Sequence, residues 1–454
     1  MNIIRQALLP ILYRWKGSKQ LEYYNYLKKN QWNLLEKNIQ IQKHLLYNNL
    51  KFSFNNIPYY KNLNTNPDSF KEDTIFEDIK NIPFLTKKEL REQFNKLYIV
   101  HPKLKRIYPN TSGGSTGEPT KFMQDNYYSD WSDATKILFD GWAGRKIGDA
   151  EIQLWGSTRD ILGQTESIKH RVANWTGNLK ILNSFKMSNE DMHRYIDEIN
   201  NFRPKLILAY VQSIYELSKY IKNNKLDVYS PDAIMTSAGI LYQKYRELIQ
   251  AVFECPVYDR YGSREVGDMA CECEKHDGLH LNVFNHFIEI IDKDGNNCRW
   301  GEMGEVVVTT LRNYTMPLIR FKIGDMAILS KKKCSCGRGL PMIENLIGRI
   351  TDVFRTREGR IIPAEYFIHF IGVVLNKGSI KKFQVIQEKE DYIIVKLVLD
   401  DRELFIKNKK DFDEITEKIK LVMGTDAKVE YQLVDEIPAT QSGKYRYTIS
   451  KVYH

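Results

Sequence analysis

Apolar residues recur with a helical period near the beginning of the chain. Between residues 21 and 50, Leu27, Leu34, Ile41 and Leu45 fall on one face of a helix, with polar residues between them. This pattern predicts one amphipathic helix that packs on the body of the protein. Residues 73–94 predict further short helical turns around Pro83.

From about residue 100 onward, short apolar runs alternate with helical patterns. Runs of this length predict buried strands, and alternation with helices is typical of an α/β domain. The expected architecture is therefore a large multi-layer domain with mainly parallel sheets flanked by helices. The predicted strands are Glu151–Trp155, Leu206–Ala209, Ala233–Thr236 and Pro256–Tyr258, and the helices between them include Ser213–Ile221 and Leu241–Phe253.

The pattern changes after about residue 348. Two predicted strands, Lys382–Gln387 and Tyr392–Leu399, precede an amphipathic helix and a further strand at Lys428–Val434. The apolar face of that helix consists of Phe412, Ile415, Ile419 and Val422. We therefore predict a large domain over residues 1–347, which includes the N-terminal helical segment, and a small mobile α+β domain over residues 348–454.

Length, composition and charge exclude several classes of protein. The 454 residues are 42% hydrophobic and 27% charged, which is typical of globular domains. No apolar run approaches the ~20 residues of a transmembrane helix, and the first nineteen residues lack a signal-peptide cleavage site, so we expect a cytoplasmic protein. The net charge is +10, but the cations are scattered without a basic and aromatic stripe, and nucleic acid is not an expected partner.

A glycine-rich segment, Asn110–Lys121, is the first candidate for chemistry. Its glycines allow a tight loop whose N–H groups turn toward an anion. Glu118 follows Gly117 where the ordinary P-loop has lysine. A phosphate-binding loop of another kind and a flexible linker are the two interpretations. The hydroxyl groups that would add donors are those of Thr111, Ser112, Ser115 and Thr116.

Four further segments carry candidate site residues. Tyr258–Gly267 follows a predicted strand, where parallel sheets bind ligands; there Glu265 could hold Mg²⁺ and Tyr261 could face a base, although such a segment is also an ordinary turn. Asp325, on a glycine turn, could accept hydrogen bonds from ribose hydroxyls. Gly348–Asp352 lies at the predicted domain boundary, and Pro438–Lys444 places a lysine beside a glycine near the end of the chain.

In this order, the five segments resemble the core motifs of the adenylate-forming superfamily of AMP-forming acyl-CoA synthetases. The branch they resemble most contains phenylacetate–coenzyme A ligase and its relatives of capsular polysaccharide biosynthesis. The resemblance spans about residue 55 to the end. One departure is Phe321-Lys322, where many relatives carry Tyr-Arg; lysine keeps the charge but loses the bidentate geometry.

The resemblance implies a role for each matching position. Lys444 would contact the acyl carboxylate and the α-phosphate, Glu265 would hold Mg²⁺, and Asp352 would lie at or next to a hinge. Trp155, Tyr210 and Ser213 would line the acid pocket. The positions that would bind ATP are Thr111, Ser112, Gly113, Gly114, Ser115, Thr116, Gly117, Lys121, Ala238, Gly239, Tyr261, Gly262, Asp325 and Arg349.

The implied activity is ATP-dependent adenylation of a carboxylic acid with release of pyrophosphate, followed by acyl transfer to coenzyme A. A second enzymatic hypothesis passes the adenylate to an amine, such as an amino sugar or amino acid, in surface polysaccharide biosynthesis. A hypothesis of another class is a non-catalytic, zinc-stabilised nucleotide-binding protein. The presence of Lys444, Glu265 and Asp325 argues against it, because a site that has lost catalysis is expected to lose such polar groups. A homodimer is the default expectation.

Four of the six cysteines form two Cys-x-Cys pairs. Thiolates and a histidine in two close segments suit tetrahedral Zn²⁺, and similar segments in this branch resemble a structural zinc site. We assign Cys273, His276, Cys334 and Cys336 as ligands, with Cys271 or His280 as substitutes. Disulfides, disfavoured in the cytoplasm, and unliganded thiols are the alternatives.

Overall fold

The computed structural model describes most of the chain and contains nineteen strands within the described residues. The described ranges are 2–63, 65–100, 106–112, 120–155, 174–184, 187–349, 353–358, 361–362, 367, 371, 380–399, 409–438 and 446–452. The strands are β1 Tyr108–Thr111, β2 Lys121–Gln124, β3 Glu151–Trp155, β4 Leu179–Asn183, β5 Leu206–Tyr210, β6 Ala233–Ser237, β7 Val257–Ser263, β8 Gly267–Glu272, β9 Leu279–Leu281, β10 His286–Ile291, β11 Met303–Thr310, β12 Phe321–Leu329, β13 Met342–Arg349, β14 Phe354–Arg355, β15 Ile361–Ile362, β16 Ile380–Lys389, β17 Tyr392–Leu399, β18 Lys428–Leu433 and β19 Thr448–Ser450.

One long sheet dominates the described structure, with the strand order β10-β11-β12-β13-β9-β8-β7-β6-β5-β3-β4. From β4 to β7 neighbouring strands are parallel. The pairs β7 with β8, β8 with β9, β9 with β13 and β10 with β11 are antiparallel. The predicted α/β class with a large helix-flanked sheet is confirmed, and the antiparallel part is an addition that the sequence pattern did not predict.

Helices connect the parallel strands and begin and end at local signals. Ser188 caps the helix before β5 by accepting a hydrogen bond from the Asp191 N–H. Three helices end at non-glycine residues in the left-handed conformation: Arg203, Lys225 and Glu254. The helices are α1 Asn2–Trp15, α2 Gln20–Asn30, α3 Leu35–Asn56, α4 Pro58–Lys61, α5 Ile75–Asp78, α6 Lys87–Glu92, α7 Phe94–Leu97, α8 Asn126–Trp142, α9 Asn189–Phe202, α10 Val211–Asn224, α11 Gln243–Phe253 and α12 Lys409–Met423.

The predicted single helix over residues 21–50 is wrong, because the chain breaks between α2 and α3. Leu34, expected on the apolar face, immediately precedes α3 and is exposed. The buried positions of α3 include the polar residues Asn38 and Gln42. Their amide groups donate to the carbonyl oxygens of Gly339 at 2.7 Å and His286 at 2.7 Å, so burial of these amides is offset by hydrogen bonds.

The chain divides into two compact units. The first comprises Met1–Ile323 and Ile328–Asn345, and the second comprises Gly324–Ala327 and Leu346–His454. Within the second, a four-stranded sheet has the order β18-β17-β16-β19, and α12 contributes Phe412, Ile415 and Ile419 to its core. The predicted Val422 is partly buried against this core, and Met423 beside it is buried. The predicted boundary at residue 348 stays a proposal.

Candidate functional site

Four parallel strands place candidate residues at one edge of the long sheet. Trp155 ends β3, Tyr210 ends β5 and pairs with Ser237 at the end of β6, and β7 carries Tyr261. Thr236 of β6 pairs with Asp259 of β7, so Ala238 and Tyr261 each lie two residues beyond a paired position on neighbouring strands. Because ligands bind beyond the carboxyl ends of parallel strands, this edge is the candidate site.

Two of the predicted acid-pocket residues contact each other at this edge. The ring centroids of Trp155 and Tyr210 lie 4.2 Å apart with an interplanar angle of 41°. Ser213, the third, is buried in the first turn of α10. The edge therefore presents an aromatic pair whose faces could contact an apolar or aryl acyl group.

Ala238 and Gly239 form a sharp turn after β6. Ala238 has a φ of 61°, a left-handed conformation that is uncommon for residues with a side chain and often occurs at functional sites. A Cβ atom added to Gly239 would lie 3.2 Å from the Cβ of Val211, the first residue of α10. Glycine therefore lets this turn approach the start of α10 closely.

Tyr261 and Glu265 lie at the hairpin between β7 and β8. Both residues are buried, and Ser263 pairs with Gly267 across the turn. A Cβ at Gly262 would come within 2.8 Å of the Gly267 carbonyl oxygen, so the close approach requires glycine there. The hairpin fixes the position of Glu265 close to the edge where β6 and β7 end.

The glycine-rich segment is the connection of a short hairpin, β1 with β2. Thr111 pairs with Lys121, and the Thr120 N–H donates to the Ser112 Oγ at 3.1 Å. The Ser112 N–H donates to the Thr120 carbonyl at 2.9 Å. These bonds close the base of the loop; residues 113–119, including Gly113, Gly114, Ser115, Thr116 and Gly117, lie outside the described residues.

Gln124 of β2 joins this hairpin to the β7–β8 hairpin. Its side-chain amide donates to the Arg264 carbonyl oxygen at 3.2 Å, next to Glu265, and its Oε1 accepts from the Asn110 side chain at 3.2 Å. The β1–β2 hairpin and the Tyr258–Gly267 segment, joined here by residues 140 positions apart in the chain, are therefore neighbours in the fold. No pattern in the sequence singled out Gln124 for this role.

A second set of contacts joins β2 to the segment before Asp325. The Asn313 amide donates to the Met123 carbonyl at 3.0 Å, and the Thr315 hydroxyl donates to Asp125 Oδ2 at 2.6 Å. Lys322, at the position that departs from the family pattern, pairs with Glu305 at 3.0 Å. This ion pair provides a structural use for the lysine within the sheet.

Asp325 and Arg349 form an ion pair within the second unit. The Arg349 Nε lies 2.9 Å from Asp325 Oδ1, and Asp325 is buried. The structure thus brings together the carboxylate that is predicted to bind the ribose and the guanidinium that is predicted to lie near the phosphates. Asp352 and Lys444, which complete the predicted set, lie outside the described residues.

A buried acidic pair lies behind the candidate edge. Burial and the neighbouring Glu272 raise the pKa of Asp259 to about 7, against the opposing effect of Arg246. Glu272 accepts from the Asp259 N–H at 2.9 Å and pairs with Arg246 at 2.7 Å. The Glu272 carboxylate therefore connects β8 to the backbone of β7 and to Arg246 of α11, at the start of the cysteine segment.

Three of the predicted zinc ligands cluster with a histidine that was only a substitute in the prediction. Ligand atoms of Cys273, His280, Cys334 and Cys336 all lie within 4.8 Å of one another. The Cys273 and Cys334 sulfurs are 3.5 Å apart, and the Cys336 sulfur is 3.3 Å from His280 Nε2. Tetrahedral Zn²⁺ with bonds of about 2.3 Å to sulfur places its ligand sulfurs about 3.8 Å apart, so the spacing fits.

His276 is not in this cluster; His280, named only as a substitute ligand, lies there instead. The His276 Nδ1 lies 3.1 Å from Glu272 Oε2. Its φ of 53° marks a tight turn after Cys273. By contrast, His280 is fully buried on β9, where burial lowers its pKa to about 4. The neutral imidazole is the form that binds a metal.

The cysteine segments also contact the N-terminal helices. Gln31 accepts hydrogen bonds at its Oε1 from the Arg338 Nε at 3.0 Å and the Trp142 Nε1 at 2.9 Å. Its carbonyl accepts from the Gly339 N–H at 2.9 Å. A Cβ at Gly339 would overlap the Asn33 carbonyl oxygen at 1.8 Å. The segment after Cys336 is thus one surface on which α2 and α3 pack.

Comparisons with known proteins agree with this architecture. Residues 354–451 match the family model described as the CapK C-terminal domain. The chain is 26% identical to Protein CapK of Staphylococcus aureus, with 97% of this chain and 90% of that protein covered. It is 22% identical to the phenylacetate-coenzyme A ligase of Thermus thermophilus, covering 90% of this chain and 96% of that one.

A solved structure with the same fold is that of a 2-hydroxyisobutyryl-CoA ligase in the postadenylation state. It aligns with a TM-score of 0.68 at 16% identity, covering 90% of this chain and 89% of that chain. The predicted resemblance to the adenylate-forming superfamily, and to its phenylacetate–coenzyme A ligase and capsular branch, is confirmed by these relatives.

Proposed function

We propose that this chain, whose relatives and fold are those of the adenylate-forming ligases, activates a carboxylic acid with ATP and passes the acyl group to coenzyme A. The observation that carries the proposal is the convergence at one sheet edge. The β1–β2 hairpin contacts the β7–β8 hairpin through Gln124 and Arg264, and the Ala238–Gly239 turn follows β6, the neighbour of β7 in the sheet. These are the segments for which the resemblance implies contacts with phosphates, adenine and Mg²⁺.

The first step forms a bond between the carboxylate oxygen and the α-phosphorus, and breaks the bond to pyrophosphate. The approach brings like charges together, so cationic groups must stabilise the charge on the α-phosphoryl oxygens. Mg²⁺ held by Glu265 would supply part of that positive charge. Lys444 would donate to the acyl carboxylate and to the α-phosphate. Asp325 would hold the ribose, with Arg349 directed toward the phosphates.

The acyl group then leaves AMP for a nucleophile, for which we propose the thiol of coenzyme A. Trp155 and Tyr210 would line the acid pocket, with Ser213 behind them. A panel of carboxylic acids, incubated with the chain, ATP and Mg²⁺, should give acid-dependent pyrophosphate without any acceptor. Adding coenzyme A should then yield a thioester. If an acyl product forms only with an amino sugar or an amino acid, the acceptor is an amine and not coenzyme A.

Glu265→Gln is expected to lower the adenylation rate by about 100-fold at limiting Mg²⁺, because a neutral amide binds a hard cation more weakly than a carboxylate. The rate should recover in part as Mg²⁺ is raised. Initial rates of pyrophosphate release across a Mg²⁺ titration measure this. Glu247→Gln, at an exposed position on α11, is the matched control; an unchanged Mg²⁺ dependence in Glu265→Gln would remove Glu265 as the metal ligand.

Asp352→Pro is expected to slow thioester formation at least about tenfold more than adenylation, because fixing a hinge impedes the second conformation. The hinge is an inference from the family resemblance and from the two compact units of the chain. Single-turnover pyrophosphate release and acyl-CoA formation are measured separately, with Asp352→Ala as the control for loss of the carboxylate. Equal loss in both steps would contradict a hinge at this position.

The Cys/His cluster is proposed to hold one structural Zn²⁺ through Cys273, His280, Cys334 and Cys336. The N–H groups of Lys275, Cys336 and Arg338 lie 3.4–3.5 Å from the sulfurs of Cys273, Cys334 and Cys336, respectively, as donors to thiolates would. Four protein ligands leave no open coordination position, so the metal would be structural. The proposed location is the cytoplasm, where thiolates stay reduced.

A further inference from the structure

The first helix, α1, presents a row of large apolar side chains to solvent. Leu8, Ile11 and Trp15 are three and four residues apart and therefore share one helix face. Their side chains are 48%, 62% and 84% exposed. Trp175, 69% exposed, lies near the same helix, with its ring 5.3 Å from the Arg5 guanidinium.

The other side of α1 is packed against the protein, which fixes the direction of the exposed row. Leu9 is buried, and the Gln6 amide donates to Asp149 Oδ1 at 3.4 Å. A Cβ at Gly148 would lie 3.2 Å from the Arg5 Cβ, and burial raises the pKa of Tyr13. The face with Leu8, Ile11 and Trp15 therefore points away from the body of the protein.

Charge indicates which partner fits this face. Residues 1–19 contain four cations, Arg5, Arg14, Lys16 and Lys19, and no aspartate or glutamate. Of these, Lys19 pairs with Glu22 of α2 at 3.9 Å. Arg14 and Lys16 flank Trp15 and are exposed with it. Apolar and tryptophan side chains on one helix face, flanked by cations, suit the interface of an anionic bilayer. A second copy of the chain would instead bring like charges together.

None of the described helices is both long and apolar enough to cross a lipid bilayer. We propose that the α1 face formed by Leu8, Ile11 and Trp15 docks this protein reversibly on the surface of an anionic lipid membrane. Trp15 inserts at the level of the head groups, and Arg14 and Lys16 contact the anionic lipids. This proposal does not depend on the adenylation reaction.

Sedimentation of the full chain with lipid vesicles tests this proposal. The protein should bind phosphatidylcholine vesicles that contain phosphatidylglycerol, bind pure phosphatidylcholine far less, and dissociate as NaCl is raised. The double variant Ile11→Ser/Trp15→Ser should bind about tenfold more weakly or worse, because it loses the inserting apolar groups. Arg14→Gln/Lys16→Gln should remove most of the preference for the anionic lipid.

Trp300→Ser/Leu421→Ser is the matched control, because these apolar side chains are also exposed but lie outside α1. It should bind like the parent chain, and thermal unfolding of every variant checks that each is folded. Equal binding by the parent and by Ile11→Ser/Trp15→Ser, or no binding to either vesicle, would overturn the proposal. A second contrary result would be a dimer in sedimentation velocity that the same α1 substitutions dissociate, together with no binding to vesicles.

Discussion

Lys444→Ala is expected to lower the rate of adenylation by about 10²–10³-fold, or ~3–4 kcal/mol in the barrier, the usual effect of deleting one preorganised donor. The reason is electrostatic: the lysine would offset the repulsion between the acid and the α-phosphate as the new bond forms. ATP affinity should change much less, because the segments proposed to bind the phosphates and the adenine, Thr111–Lys121 and Ala238–Gly239, do not include this residue. Single-turnover pyrophosphate release with an accepted acid measures the effect.

Lys451→Ala is the matched control for this variant. Lys451 is also near the end of the chain, but its ammonium pairs with Glu388 at 2.6 Å at the surface, and such pairs contribute little. Its adenylation rate should equal that of the parent. An unchanged rate of pyrophosphate release in Lys444→Ala would exclude the lysine from the chemistry and leave the proposed roles without their central cation.

Loss of one cysteine ligand is expected to have the largest effect on stability. Cys336→Ser should reduce zinc from one to well under one per chain and lower the free energy of unfolding by about 4 kcal/mol or more, because metal binding is coupled to folding. The Gln31 contacts to Arg338 and Gly339 should weaken with it. We therefore also expect faster proteolysis between α2 and α3. Metal analysis, denaturant unfolding and limited proteolysis measure the three effects.

Two histidine variants provide the control for the metal assignment. His280→Ala should lose zinc, whereas His276→Ala, whose ring contacts Glu272 instead of the cluster, should retain it. Loss of metal in His276→Ala with retention in His280→Ala would reverse the assignment. A zinc content well under one per chain, in parent protein purified without chelator, would contradict the proposed zinc site.

Strands β3, β5 and β6 were predictable because they are short, largely apolar runs, whereas β4 was not predicted and only Val257 and Tyr258 of β7 were. The predicted strand Glu151–Trp155 is β3, and Tyr392–Leu399 is β17, with the same bounds. Leu206–Ala209 and Ala233–Thr236 each fall one residue short of β5 and β6. Because these strands are buried, each consists mainly of apolar residues, and the bounds of the apolar run are close to the bounds of the strand. Strands β8 to β13 include polar residues and are separated by turns, and the pairing of β9 with β13 depends on residues distant in the chain.

The break between α2 and α3 could not be predicted from hydrophobic spacing. The buried face of α3 contains Asn38, Gln42 and Asn49. Because these residues are polar, the spacing of apolar residues does not reveal which face of the helix is buried. The amides of Asn38 and Gln42 donate to carbonyl groups of Gly339 and His286, which are hundreds of residues away. Tertiary hydrogen bonds thus override the local pattern.

The histidine of the Cys/His cluster shows the same limit. Spacing favoured His276, three residues after Cys273, but the turn at His276 directs its ring to Glu272. His280 reaches the cysteines because β9 pairs with both β8 and β13, placing it opposite Cys271 and Met342. Sequence spacing identified the donor types, whereas the sheet register decides which histidine lies among them.

The central claim is that segments distant in the chain converge around one ATP to form an acyl-adenylate. Acid-dependent exchange of labelled pyrophosphate into ATP, measured without coenzyme A or any amine, tests it most directly, because exchange requires reversible formation of that adenylate. We expect exchange with at least one carboxylic acid, and its loss in Lys444→Ala. Tight binding of ATP without any exchange of pyrophosphate, whichever acid is supplied, would contradict the claim. The protein would then be a nucleotide-binding protein that does not form an acyl-adenylate.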